Sequence, residues 1–306
     1  MMSELLETIP DRADLEVILV DDHSECPFNE DVSFKRTSLV HIRNLPGQKY
    51  AGTARNAGLL RATGDYVLFA DSDDLFVTEA LERVLDEAGT MRGRDMILFG
   101  VSSFEVGSAV PSRRHCVFEN ARRAFAKTGD RAYLPNLLPP WGRLVRRDLI
   151  ESHGLRFEAT RVSNDVRFSV MLALLCRKVV VVEEVAYLLR KHPGSLTADH
   201  DIDAIRTRLG VFFRANRIFS AYGNPYRFST LIYIRQFRKT HPLMALRLTA
   251  WSLTQPGAVL ITRRQIVPAL RYIGRRVGRA TAERAQSIAR KLPIFPTRSN
   301  RSADPE

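Results

Sequence analysis

Short apolar runs and segments with helical spacing alternate along the first two thirds of the chain. Runs of mainly apolar residues predict strands at 15–20, 39–42, 66–70, 96–101, 179–182 and 185–189. Between these runs, apolar residues three and four positions apart predict helices, most clearly at 51–62 and 78–88. Strands that alternate with helices predict an α/β fold, with a mostly parallel sheet covered by helices on both sides.

The pattern changes near residue 200, where the strand-like runs stop. Helices are predicted at 202–222, 229–237 and 243–254, and the last residues are rich in Pro, Arg and Ser. We therefore expect three parts, listed in chain order: a catalytic domain at 1–200, a basic helical extension at 201–292 and a disordered tail at 293–306.

Positive charge is concentrated in the C-terminal third. The whole chain has a formal net charge of +12, yet residues 204–306 contain 20 Lys and Arg against three Asp and Glu. At 263–279, basic and apolar residues alternate with nearly helical spacing, which predicts a helix with a basic and an apolar face. Such a segment suits an anionic membrane surface; a packed helix with exposed Arg, or one that mediates oligomers, is the alternative.

The cysteines and the N-terminus indicate the cellular compartment in which the protein is expected. Cys26, Cys116 and Cys176 are odd in number and far apart, which predicts reduced thiols and neither a disulfide framework nor a zinc site. The N-terminus is acidic and lacks the basic-then-apolar pattern of a signal peptide. We expect a cytoplasmic protein that is peripheral at the inner face of the membrane.

Two predicted strands end in acidic residues. The run 66–70 leads into Asp71-Ser72-Asp73-Asp74, and the run 15–20 leads into Asp21-Asp22. Parallel strands present such residues at one edge of the sheet, where open α/β sheets bind ligands. Clustered carboxylates repel one another unless a cation or solvent offsets their charge. The pattern favours a site for a divalent cation and a polyphosphate; a polar turn that caps the next helix is the alternative.

Several segments occur in the order that one enzyme family shows, over roughly residues 1–200. They are Val20-Asp21-Asp22-His23-Ser24, Ala54-Arg55-Asn56-Ala57-Gly58, Gly64-Asp65-Tyr66 leading to Asp71-Ser72-Asp73-Asp74, Trp141-Gly142-Arg143-Leu144, Asn164-Asp165-Val166-Arg167-Phe168 and His192-Pro193-Gly194-Ser195-Leu196-Thr197. Together they resemble the family 2 glycosyltransferases of the GT-A fold. The resemblance implies an inverting, metal-dependent transferase that moves a sugar from a nucleotide diphosphate to a glycan or lipid-linked glycan hydroxyl, as in surface polysaccharide synthesis.

The resemblance assigns the donor side to six acidic or basic residues. Asp73 is the expected ligand of Mn²⁺ or Mg²⁺, and Asp71 assists the metal or contacts the ribose, with Asp74 behind them. Asp22 is expected to bind the nucleobase, so a UDP-sugar is the favoured donor, while Asp21 orients the loop. Arg55 lies beside the base and the diphosphate; an Arg that ties its helix to the acidic cluster by an ion pair is the alternative.

On the acceptor side, the resemblance implies that Asp165 is the general base, which accepts the proton of the attacking hydroxyl. Its alternative is an N-cap residue stabilised by the helix dipole. The family usually has Glu where this chain has Asn164. Trp141 is expected to stack on a sugar, with core packing as its alternative. His192 is expected near the diphosphate or the metal, with a surface turn as its alternative.

One departure from the family concerns the first strand. The family opens with a strand and a turn that form one wall of the nucleobase pocket, whereas this chain begins in the helix that would follow. We expect a central sheet that lacks a strand. A glycosyltransferase-like binding module without a donor pocket is therefore an alternative function, as is a nucleotidyltransferase. Nucleic acid is an unfavoured partner, because the basic cluster lacks interleaved aromatic residues.

Overall fold

The computed structural model describes residues 1–25, 39–47, 49–91, 93–106, 112–191, 201–231, 234–235, 242–259 and 262. Contacts divide the chain into two compact units, Met1–Ala215 and a second that begins at Asn216. Within the described ranges, no helix combines the length and the apolar character needed to cross a bilayer. Several predicted features lie wholly or partly outside these ranges, namely Cys26, His192, four residues of the helix at 229–237, the basic segment at 263–279 and the tail at 293–306.

The first unit alternates strands and helices as the apolar pattern predicts. Its strands are β1 (Val17–Asp21), β2 (Leu39–Arg43), β3 (Tyr66–Leu68), β4 (Leu75–Phe76), β5 (Met96–Glu105), β6 (Arg143–Arg146) and β7 (Val179–Lys191). Its helices are α1 (Met2–Thr8), α2 (Ala51–Leu59), α3 (Thr78–Thr90), α4 (Cys116–Thr128), a 3₁₀ helix (Arg131–Asn136), α5 (Arg147–Ser152), α6 (Val166–Leu175) and most of α7 (Ile202–Ala221).

The described strands form two sheets. β1 and β2 are a parallel pair, with Val17 opposite Leu39. The other five strands are ordered β3-β6-β5-β7-β4, and only β5 and β7 are parallel. The α/β class with flanking helices is confirmed, but the expected mostly parallel sheet is mixed. Every antiparallel pairing involves β6 or β4, the two short strands that the apolar pattern did not reveal.

The core is built around β5, which lies between β6 and β7. Met96, Ile97, Leu98 and Phe99 are all buried, because both faces of this strand are covered. α3 packs against β7 and α4 packs against β5. At Gly100 the register of β5 and β7 shifts, and a Cβ there would lie only 2.8 Å from the side chain of Val185.

The second unit contains the end of α7 and one further described helix, α8 (Pro242–Leu253). Asn216 holds this unit together, since its side-chain amide donates to the carbonyls of Phe228 at 3.0 Å and Gly257 at 2.9 Å. The same side chain accepts a bond from the Phe228 amide at 2.8 Å. Phe219, Tyr226 and Phe228 pack against one another beside it. The predicted boundary near residue 200 stays a prediction.

Candidate active site

The first turn of α2 connects the end of β1 to the site. Asn44 follows β2 and is buried; its side-chain amide donates to the carboxylate of Asp22 at 2.8 Å and to the hydroxyl of Thr53 at 3.0 Å. Thr53 in turn donates to the carbonyl of Tyr50, which has a φ of 83° just before α2. Asp22 is therefore fixed beside α2, while Asp21 accepts from the Ser24 amide and orients the loop, as expected.

Arg55 reaches two other chain segments from the same turn of α2. Its guanidinium donates to the carboxylate of Asp71 at 2.5 Å and to the side-chain oxygen of Asn164 at 2.9 Å. It also lies over the ring of Phe157, 5.5 Å from the centroid. Because Thr53 and Arg55 are two residues apart, α2 joins the Asp22 end of β1 to Asp71 and to the residue before Asp165.

Residues Asp71–Asp74 form a tight turn, which we call the acidic turn. Hydrogen bonds from β7 hold this turn in place. The Tyr187 hydroxyl accepts from the Asp71 amide and donates to the Asp74 carboxylate, each at 2.9 Å. The Arg190 amide donates to the other oxygen of Asp74 at 2.8 Å, and the Arg190 guanidinium donates to the Asp73 carbonyl. The side chain of Arg190 also pairs with Glu4 in α1. The orientation of the turn thus depends on β7 and α1.

The acidic turn offers the donors that a hard divalent cation prefers. One carboxylate oxygen each from Asp71, Asp73 and Asp74 lies within 4.8 Å of the others, and Asp71 and Asp73 are partly exposed. Burial, together with the charges of Asp71 and Asp73, raises the pKa of Asp74 to about 7. These all-oxygen donors fit Mg²⁺ or Mn²⁺, whose charge would relieve the repulsion. Asp71 and Asp73, the two partly exposed members of the group, could hold such an ion.

Asp165 immediately precedes α6 and is partly buried. Its backbone carbonyl accepts from Ser169, but among the described residues its side chain makes no capping hydrogen bond to the first turn of α6. Burial raises the pKa of the Asp165 carboxyl, and the nearby Arg55 guanidinium offsets part of this rise. The strained φ of 58° at Ser163 lies two residues before it. The capping bond of the alternative role is therefore not observed in the described residues, and the role of Asp165 as general base stays a prediction.

The segment before Asp165 is pressed against α2. A Cβ at Gly52 would lie 2.3 Å from the Glu158 carbonyl oxygen and 2.9 Å from the Cβ of Asn164, so only Gly fits. Asn56 accepts from the Phe157 amide and donates to the Phe157 carbonyl, at 2.9 and 3.0 Å. The helix that carries Arg55 therefore also fixes the position of Asn164 and Asp165.

Trp141 lies in the core, with 6% of its surface exposed. Its ring stacks on Tyr187 at a centroid distance of 5.9 Å and tilts against Phe118 at 5.0 Å. These contacts are the packing role that the sequence left open, and contact with a sugar stays a prediction. Stacking on Tyr187 places Trp141 behind the acidic turn. The metal role of His192 also stays a prediction, since that residue is outside the described ranges.

Four residues of the site were not predicted as contributors from the sequence. They are Asn44, Asn56, Tyr187 and Arg190, whose side chains connect segments that are distant in the chain. Asn56 carries the one usable signal, since it is part of the quoted Ala54–Gly58 segment. Arg143 lies in the Trp141–Leu144 segment that resembles the family, but the sequence alone indicates no role for it. It is buried beneath α6, burial lowers its pKa to about 10, and it donates to the Ser169 hydroxyl at 2.8 Å.

Comparison with known proteins decides which family this site belongs to. The glycosyl transferase family 2 model matches residues 2–154, which is half of the chain and includes the acidic turn. The chain belongs to glycosyl transferase family 2. The predicted family and the glycosyltransferase class are thereby confirmed. This membership also sets aside the nucleotidyltransferase alternative.

Curated relatives align with about two thirds of the chain. The glycosyltransferase GlyG of Streptococcus pneumoniae is 25% identical over 213 residues, which cover 65% of this chain and 68% of GlyG. The poly(ribitol-phosphate) β-N-acetylglucosaminyltransferase TarP of Staphylococcus aureus is 26% identical over 197 residues, 61% of this chain and 57% of TarP. A crystal structure of S. aureus TarS residues 1–349 with UDP-GlcNAc superposes with a TM-score of 0.51 at 18% identity, covering 83% of this chain and 72% of that one. This likeness confirms the fold.

Proposed function

We propose that this family 2 enzyme is an inverting, metal-dependent transferase that uses a nucleotide diphosphate sugar, with a UDP-sugar favoured. The observation that carries the proposal is the contact chain from Asp22 through Asn44 and α2 to Asp71. This chain connects the Asp22 carboxylate, which could accept a hydrogen bond from the imide N–H of uracil, to the Asp71 carboxylate, which could bind a cation. TarS was crystallised with UDP-GlcNAc, which supports this class of donor.

In this proposal, transfer is a single displacement at the anomeric carbon. Asp73 and Asp71 would hold Mn²⁺ or Mg²⁺, which would supply positive charge to offset that of the diphosphate, and Arg55 adds a further positive charge to the site. Asp165 accepts the proton of the acceptor hydroxyl as the new glycosidic bond forms and the nucleoside diphosphate leaves. The raised pKa of Asp165 increases its affinity for that proton. Asp165 directly follows Asn164, and Asn164 accepts a hydrogen bond from Arg55. This contact connects the proposed acceptor side to the proposed donor side.

The proposed acceptor is a hydroxyl of a glycan or lipid-linked glycan in surface polysaccharide synthesis. The name of TarP, a poly(ribitol-phosphate) β-N-acetylglucosaminyltransferase, supports a polymer with hydroxyl groups as the class of acceptor. We place the enzyme in the cytoplasm, at the inner face of the membrane, because the C-terminal third is strongly basic. A lipid-linked acceptor would be presented there.

A screen of nucleotide-sugar hydrolysis and transfer, with and without Mn²⁺, tests this function. We expect Asp73→Ala to remove turnover by a factor of about 10³ or more, because the leaving diphosphate loses its counter-charge. We expect Asp165→Asn to reduce kcat by a factor of about 10² to 10⁴ with little change in donor affinity.

The exposed Asp65→Asn is the matched control and should be fully active. Full activity of the Asp73→Ala enzyme would refute the metal role. No hydrolysis and no binding of any nucleotide by the wild type would instead indicate a binding module that has lost its donor pocket.

A further inference from the structure

Helix α8 exposes large apolar side chains to solvent. Leu243 is 74% exposed, and Leu246 and Leu253 are each 66% exposed. With 3.6 residues per turn, these three leucines lie on one face of the helix, together with the exposed Ala250. The opposite face is buried through Ala245, Leu248 and Ser252, so the helix is already anchored to its unit without the leucines. Contiguous exposed leucines of this kind mark an interaction surface.

The charge around α8 indicates what this surface would bind. No Asp or Glu occurs between Asp203 and Glu283, so nothing in this stretch offsets its basic residues. Arg247 is exposed beside the leucines, and Arg217 and Arg235 are exposed elsewhere in the same unit. Apolar side chains flanked by uncompensated arginines match the boundary between acyl chains and anionic headgroups. A nucleic acid would call for exposed aromatic side chains, but the exposed face of α8 is aliphatic.

We propose that the leucine face of α8 (Leu243, Leu246, Ala250 and Leu253) docks the enzyme on an anionic lipid surface. The helix lies in the plane of the interface, with the leucines among the acyl chains and the arginines at the headgroups. At 12 residues the helix is about 18 Å long, too short to cross a bilayer. This inference rests on the proposed function, because a lipid-linked acceptor is presented at such a surface.

Flotation of the full chain with vesicles tests the proposal. One vesicle preparation contains phosphatidylcholine and phosphatidylglycerol, and the other contains phosphatidylcholine alone. We expect the wild type to float with the anionic vesicles, and less as salt is added. The combined substitution Leu243→Gln, Leu246→Gln and Leu253→Gln should weaken binding at least about tenfold, which corresponds to about 1.4 kcal/mol. Because these side chains are exposed, the variant should fold normally.

The matched control replaces three exposed apolar residues of the first unit, by Leu60→Gln, Val106→Gln and Val117→Gln. It should float like the wild type. Equal flotation of the α8 variant and the wild type would overturn the proposal, as would absence of wild-type flotation. A change in the sedimenting mass of the α8 variant without a change in flotation would instead make this face a contact between copies. Retention on polyuridylate but not on vesicles would indicate nucleic acid.

Calorimetry with UDP and Mn²⁺ on the same preparations separates the two proposals. Flotation without binding of UDP would reject the proposed function, but the proposal that α8 docks on lipid would still hold. Donor binding equal in all three proteins, with flotation lost only in the α8 variant, is the result expected if both hold.

Discussion

Asp74 is the most buried carboxylate of the acidic turn, and both of its oxygens accept hydrogen bonds from β7. We expect it to shape the turn, while Asp71 and Asp73 face the ion. The sequence predicted the acids and their order, because the motif is local. It could not reveal Tyr187 or Arg190, more than 110 residues further on, because a hydroxyl or guanidinium gains its role only from the fold. The ion pair of Arg55 with Asp71 was foreseen as an alternative.

The raised pKa of Asp74 makes stability depend on pH when no metal is bound. Its folded pKa is about 7 and its ordinary value is 3.8, so the folded state binds the extra proton between these limits. The stability this contributes is fully present below pH 3.8 and is lost as pH rises through 7. We expect the urea midpoint of Asp74→Asn, measured with EDTA, to exceed that of the wild type by much more at pH 8 than at pH 5.

The exposed Asp65→Asn, which removes an acid from the surface, serves as the control and should follow the wild type at both pH values. If Asp74→Asn and the wild type lose stability in parallel from pH 5 to pH 8, Asp74 is not the group that titrates.

At the scale of elements, long periodic segments were predicted well. The helices at 78–88 and 243–254 correspond to α3 and α8 within two residues at each end. The runs 179–182 and 185–189 are one strand, β7, because Glu183 and Glu184 interrupt the apolar pattern but continue the extended backbone. β4 has two residues and β6 has four, too few to show a period of two. α4 also lacked a clear signal in the sequence.

Helix α2 connects the proposed donor-side residues to Asp165. Gly52 permits the close approach of this helix to Glu158 and Asn164. Gly52→Ala would force Glu158 and Asn164 to move, because the Glu158 carbonyl oxygen and the Asn164 Cβ lie within 3 Å of the new Cβ. We expect a loss of about 1–3 kcal/mol in the free energy of unfolding. We also expect kcat to fall by more than tenfold, because Asp165 moves with Asn164.

Gly89→Ala in α3 is the matched control, since a Cβ there meets nothing within 4 Å. Ala should stabilise that helix by up to about 1 kcal/mol and leave turnover unchanged. If the Gly52→Ala enzyme has the kcat and stability of the wild type, the close approach of α2 to Glu158 and Asn164 is not needed for turnover or folding.

At the scale of the molecule, the first unit carries every described residue of the candidate site, and the second carries the exposed face of α8. Among the described strands, β1 pairs only with β2, and β3 pairs only with β6. The predicted lack of a family strand stays a prediction. The sequence indicated the charge difference between the two parts of the chain, since charge is a matter of composition. It could not show which face of α8 is exposed, because that depends on how Ala245, Leu248 and Ser252 pack.

The central claim is that carboxylates from separate segments hold a cation that binds the diphosphate of a nucleotide. Titration calorimetry of UDP, with and without Mn²⁺, on the wild type, Asp73→Ala and Asp165→Asn tests it most directly. We expect the wild type and Asp165→Asn to bind UDP only with Mn²⁺, and Asp73→Ala to lose that binding. UDP binding that is indifferent to Mn²⁺, or unchanged in Asp73→Ala, would contradict the account.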